Sequence, residues 1–153
     1  MFVDAVDLQI DDHPIVDFFS LTMDQVTDLS YHDPGAFRMD LPALPDQQKA
    51  TMAANRGTLQ VYGGTTMADP SLRGRLPAFA VPTLAIWGAA DRIVPPDHGH
   101  AYADAIPGAT FHLIPDAGHL PQLETPDQLA GLVWNFADAH ATNRPAADNS
   151  SPE

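Results

Sequence analysis

A carboxylate and an imidazole stand at matched positions behind two short apolar runs. Val81 to Trp87 (VPTLAIW) is the kind of continuous hydrophobic run that makes a parallel strand buried on both faces; it ends at Gly88, and Asp91 follows in the loop. Thr110 to Ile114 is a second such run, and the loop after it carries Gly118 and His119. Both side chains therefore fall just past the carboxyl ends of strands, where open α/β sheets place their sites. The 28 residues from Asp91 to His119 leave room for one helix and one strand. The chemistry open to such a pair is general-base catalysis. An imidazole with an ordinary pKa of about 6.5 can take a proton at neutral pH, and a carboxylate on its other ring nitrogen fixes the tautomer and stabilises the imidazolium.

The residues around the pair, GAADRIVPP (Gly88, Asp91, Val94, Pro95) and GHLPQLETP (Gly118, His119, Gln122, Glu124, Pro126), closely resemble the C-terminal end of the α/β-hydrolase family. That family orders its triad as nucleophile, acid, histidine. With flanking strands and helices the resemblance covers residues 78 to 139 and implies Asp91 as catalytic acid and His119 as catalytic base. The nucleophile elbow G-x-S-x-G has no counterpart, because Ser20, Ser30, Ser71, Ser150 and Ser151 all lack glycines on both sides. The resemblance thus implies the C-terminal half of a hydrolase, with a nucleophile-bearing N-terminal half outside these residues. Serine is the commonest nucleophile of the family, and an aspartate would use the same acid and histidine. Members that hydrolyse carbon–carbon bonds usually carry Trp after the histidine; Leu120 here speaks against that subgroup.

Four other acids compete with Asp91. Asp97 and Asp104 fall on a helix and read as solvent-exposed, Asp116 reads as a turn residue in the histidine's own loop, and Glu124 reads as shaping that loop and charging a helix N-terminus. Asp97-His98-Gly99-His100 raises a metal site, but at a helix start residues two apart point about 200° from each other and would not converge on one ion. No metal and no cofactor is expected.

The elements that must position the pair follow from pattern. Met1 to Val6 reads as a strand; by resemblance it is the sixth of the family's sheet, with Val81–Trp87 and Thr110–Ile114 the seventh and eighth. Residues 7 to 77 carry many prolines and no strand signal. Thr22 to Gln25 fits a capping box for a helix reaching about Tyr31, and a longer helix runs from after Pro45 to about Tyr62, closed by Gly63-Gly64. Such a segment resembles the family's all-helical cap, which excludes water and shapes the pocket; Phe18, Phe19, Tyr31, Met52, Tyr62 and Met67 supply its apolar bulk. Asp97 to Ile106 is a helix between the two strands. Thr125 to Gln128 fits a second capping box, opening a helix whose Leu129, Leu132, Val133 and Phe136 form one apolar stripe. The expected organisation is an α/β core of three parallel strands with flanking helices (1–6 and 78–139), a helical cap (7–77) and a polar, disordered tail (140–153).

Composition sets the partners. A net charge of −13 with seven Lys and Arg in 153 residues argues against nucleic acid and anionic membranes. No cysteine is present, which removes disulfides and thiolate chemistry, and a cytoplasmic location is the default reading. The expected function is hydrolysis of an ester-like bond in an apolar small molecule; the alternative is a non-catalytic, truncated or degenerate hydrolase fragment kept as a binding module. The edge strand at residues 1–6 is expected to promote self-association.

Overall fold

The computed structural model describes residues 1–64 and 66–141. The chain begins with β1 (Phe2–Val3) and β2 (Asp7–Leu8), then runs through α1 (Met23–Ser30), α2 (Pro34–Phe37) and α3 (Asp46–Gly63). It continues as β3 (Ala68–Asp69), α4 (Leu72–Arg75), β4 (Leu84–Gly88), α5 (Pro96–Ala105), β5 (Thr110–Ile114), α6 (Pro121–Glu124) and α7 (Pro126–His140).

The main sheet is parallel, in the order β1-β4-β5. Leu84 to Gly88 can occupy the middle because every residue of LAIWG is buried, so neither face of that strand needs a polar side. Alternation then divides the core into two layers. Trp87 joins Leu8, Leu76, Val94, Tyr102 and Ile106 on the side covered by α5, while Leu84 and Ile86 join Ile114 and Ala117 under Leu129, Leu132, Val133 and Phe136 of α7. The apolar stripe of the last helix therefore packs where its period predicts. Two buried aromatic polar groups are paired with distant backbone: Trp87 Nε1–H donates to the Val94 carbonyl at 2.9 Å, and the Tyr102 hydroxyl donates to the Val6 carbonyl.

Several expectations are corrected. β1 covers only Phe2 and Val3, because Asp4 turns into the left-handed region at φ 42° and takes the chain out of the sheet. Residues 7 to 77 do contain strands: β2 and β3 form a two-stranded parallel ladder, Asp7 opposite Ala68 and Leu8 opposite Asp69. The capping box at Thr22 forms, with Gln25 N–H donating to the threonine hydroxyl and the Gln25 side chain accepting the Thr22 N–H. That at Thr125 does not, since its hydroxyl donates to the Pro121 carbonyl. α7 runs through His140, and the tail expected beyond it lies, from residue 142, outside the described residues. No helix among the described residues is long and apolar enough to cross a membrane.

Candidate active site

The loop after β4 is folded by its own backbone and by the neighbouring loop. Ala89 N–H donates to the Ile114 carbonyl, Ala90 N–H to the Ala117 carbonyl, and Asp91 N–H back to Gly88. Asp91 is 2% exposed, and its Oδ1 accepts the N–H groups of Ile93 at 2.8 Å and Val94 at 2.9 Å. This is the local bonding that makes Asp a turn former, but it occupies one oxygen only. The second oxygen, Oδ2, lies 2.8 Å from Nδ1 of His119.

A carboxylate can only accept, so in the neutral ring Nδ1 carries the proton and Nε2 the lone pair. Burial alone pulls the His119 pKa down. The Asp91 hydrogen bond and charge, with a smaller contribution from Asp4, outweigh it and leave the imidazole above its ordinary value.

The histidine's loop is clamped from three directions. His119 N–H donates to the Ser30 carbonyl at the end of α1, at 2.6 Å. Glu124 Oε2 accepts the Gly118 N–H at 2.6 Å, and its Oε1 accepts the N–H groups of His32 and Asp33. Two glycines are dictated by close approach: a Cβ on Gly88 would lie 2.0 Å from the Gly118 carbonyl oxygen, and one on Gly118 would lie 2.2 Å from that of Ser30. The two loops and the end of α1 thus meet backbone to backbone.

The sequence reasoning missed Asp4. It leaves β1 toward the same rim, is 5% exposed, and its Oδ1 accepts the Gly88 N–H at 2.8 Å. One of its oxygens, one Asp91 oxygen and one His119 ring nitrogen lie within 4.8 Å of one another. The available signal was an acid in a run read as a strand, at the point where that strand reaches the carboxyl end of the sheet.

The competing acids lie elsewhere. Asp97 is exposed and faces His13 at 3.4 Å, and Asp104 and Asp116 are exposed. His98 is buried with Nε2 2.7 Å from the His13 carbonyl, whereas His100 is exposed against the Phe111 ring, so the two imidazoles point into different surroundings. Two cavities of about 780 Å³ flank the segment between β2 and β3. One is lined by Leu8, Ile10, Ile15 and His98; the other, almost wholly apolar, by Phe18, Met23, Met52 and Leu59. Tyr62, in contrast, is 86% exposed.

Comparison with known proteins adds a family to this geometry. The family described as the alpha/beta hydrolase fold matches residues 19–126. A 2-hydroxy-6-oxononadienedioate/2-hydroxy-6-oxononatrienedioate hydrolase of Klebsiella pneumoniae is 40% identical over 67 residues, covering 44% of this chain and 23% of the relative. Its namesake in Escherichia coli O139:H28 is 39% identical over 98 residues, covering 61% and 34%. The chain therefore spans about a quarter to a third of the length of these relatives. Among solved structures, a meta-cleavage product hydrolase from Pseudomonas fluorescens IP01 superposes with a TM-score of 0.63 at 20% identity, over 90% of this chain and 55% of that one.

Proposed function

The chain belongs to the family of the alpha/beta hydrolase fold, and from that premise we propose that it carries the acid and the base of a hydrolase acting on an ester-like bond in an apolar small molecule. The observation that carries the reading is the 2.8 Å bond from His119 Nδ1 to a buried Asp91 oxygen, which leaves Nε2 with its lone pair free. In this mechanism Nε2 takes the hydroxyl proton when the nucleophile is a serine, whereas an aspartate attacks as its carboxylate with no proton to give. In both cases the histidine then activates the water that releases the covalent intermediate, and Asp91 stabilises the imidazolium. The nucleophile of this reading is a serine or aspartate outside these 153 residues, since neither G-x-S-x-G nor G-x-D-x-G occurs in them. Residues 7–77 act as the cap, with the apolar cavity beside Phe18, Met23, Met52 and Leu59 contributing to substrate choice.

A second reading concerns the bond. Leu120 speaks against the carbon–carbon subgroup, yet the relatives at 39–40% identity are named for a 2-hydroxy-6-oxo dienedioate or trienedioate. A dienoate of that type therefore belongs beside the esters in any assay.

The experiment joins the chain to a matching N-terminal half carrying an elbow nucleophile and follows p-nitrophenyl acetate, p-nitrophenyl butyrate and the dienoate. Turnover is expected from the joined protein and not from the 153 residues alone. Asp91→Asn should lower kcat by about 10⁴, as the wrong tautomer does in serine proteases. An Asp91→Asn protein within a few-fold of the parent would overturn the assignment.

A further inference from the structure

Asp4 is a buried acid with an unsolved problem. Its Oδ1 is satisfied by Gly88 N–H, but Oδ2 is buried with no hydrogen-bond partner. Asp91, its neighbour, already accepts from Ile93 N–H, Val94 N–H and His119 Nδ1. Two buried carboxylates facing one neutral imidazole would leave two anions desolvated side by side, which is strongly disfavoured.

We propose that Asp4 is a positioning residue that shares one exchangeable proton with His119 across the Asp91 carboxylate. In one state the proton sits on Asp4 Oδ2, where the resulting O–H can donate toward Asp91 and the orphaned oxygen gains a partner; His119 is then neutral with Nε2 free. In the other the proton sits on Nε2 and Asp4 is ionised. Both states carry a net charge of −1, so the trio changes its proton's address without changing the charge buried beneath it. Asp91 by itself would tend to hold His119 protonated and useless as a base. A neutral Asp4 withdraws the second anion and keeps Nε2 available.

The electrostatics support this geometry. Burial, first, and then the charge and hydrogen bond of Asp91 push the Asp4 carboxyl up to about 7, against the opposing pull of the Gly88 N–H and of His119. The titratable groups facing Asp4 are Asp91 from the loop after β4 and His119 from the loop after β5. Glu124 of α6 faces the far side of the His119 loop beside Tyr31, with its two oxygens occupied by three backbone N–H groups. The backbone adds to the case: Asp4 is held at φ 42°, a conformation that few side chains adopt and that Asp and Asn tolerate best.

The inference rests on His119 being the base, but its test does not use turnover. The labelled 153-residue chain is titrated by NMR, following the Asp4 carboxyl carbon and the His119 ring nitrogens. The Asp4 carboxyl should titrate near neutrality, well above the usual ~3.9, and the His119 curve should inflect over the same range. Asp4→Asn keeps the acceptor for Gly88 N–H and the left-handed backbone while removing the proton site. His119 should then titrate in a single step, with its midpoint lowered by about 0.5–1 unit for loss of a part-time anion. An Asp4 midpoint near 4 in the parent would overturn the proposal even if the variant failed to fold. So would a His119 curve identical in parent and variant, which would reduce Asp4 to a structural acceptor. Failure of Asp91 and His119 in the turnover assay would leave these curves where they are, so the two readings fail separately.

Discussion

Glu124 grips Gly118 from six residues downstream, its Oε2 accepting the glycine N–H at 2.6 Å, while Oε1 reaches across to His32 N–H at 2.7 Å. One carboxylate thereby joins the His119 loop to the end of α1. Removing it strands three backbone donors, and each unsatisfied buried donor costs about 1–3 kcal/mol, less where water can reach it. Glu124→Ala should therefore lower the thermal midpoint by several degrees and broaden the His119 ring resonances. Circular dichroism melting and NMR read the two effects. An unchanged melt would show that water replaces the carboxylate without loss.

Stability should fall as pH rises through neutrality. The folded pKa of Asp4, about 7, lies above its ordinary 3.8, so the neutral acid is favoured in the fold. Its contribution is complete below about pH 4 and is lost as the pH climbs to 7, amounting to at most about 4 kcal/mol at 1.36 kcal/mol per unit. His119 is also raised, and its contribution is present below its unfolded pKa and lost above the folded one. Thermal midpoints measured at pH 5 and pH 8 should therefore differ, the higher pH being the less stable. Asp4→Asn should raise the midpoint at pH 8 more than at pH 5; an equal shift at both would sink the idea that charge burial is the cause.

Self-association should follow from the exposed side of β1. That strand has β4 as its single neighbour among the described residues, and Met1 at its start is 57% exposed. An unpaired strand edge with apolar side chains beside it is a template for another chain. Size-exclusion chromatography with light scattering should give a mass that grows with concentration. A monomer at every concentration with a cooperative melt would contradict this.

The placement of Asp91 and His119 was legible because each follows a run long enough to be a strand, and strand ends of an open α/β sheet share a rim. The run before His119 is nevertheless interrupted by His112, and β5 is mostly exposed where a strand buried on both faces was expected. Asp4 was not, because MFVDAV passes for a strand through Val6 and its backbone reversal has no signature in residue types. β2 and β3 escaped for a different reason: two residues each are too few to show alternation, and their pairing joins positions 61 apart in the chain. The box at Thr125 satisfied its motif, yet the short α6 placed the Pro121 carbonyl within reach of the hydroxyl first. Local patterns foresaw local structure; what failed was decided by neighbours distant in sequence or by competition within a turn.

The contact between Gly88 and Gly118 makes the acid's loop and the base's loop one mechanical body. A side chain at either position would collide with a carbonyl of the next layer, at Gly118 for the first and Ser30 for the second. Neither loop can drift to suit a new substrate without dragging the other. On the proposed reading of residues 7–77 as the cap, diversification of what this scaffold accepts is thereby channelled away from Asp91 and His119 and into the cavity beside Phe18, Met23, Met52 and Leu59, which can be reshaped one side chain at a time.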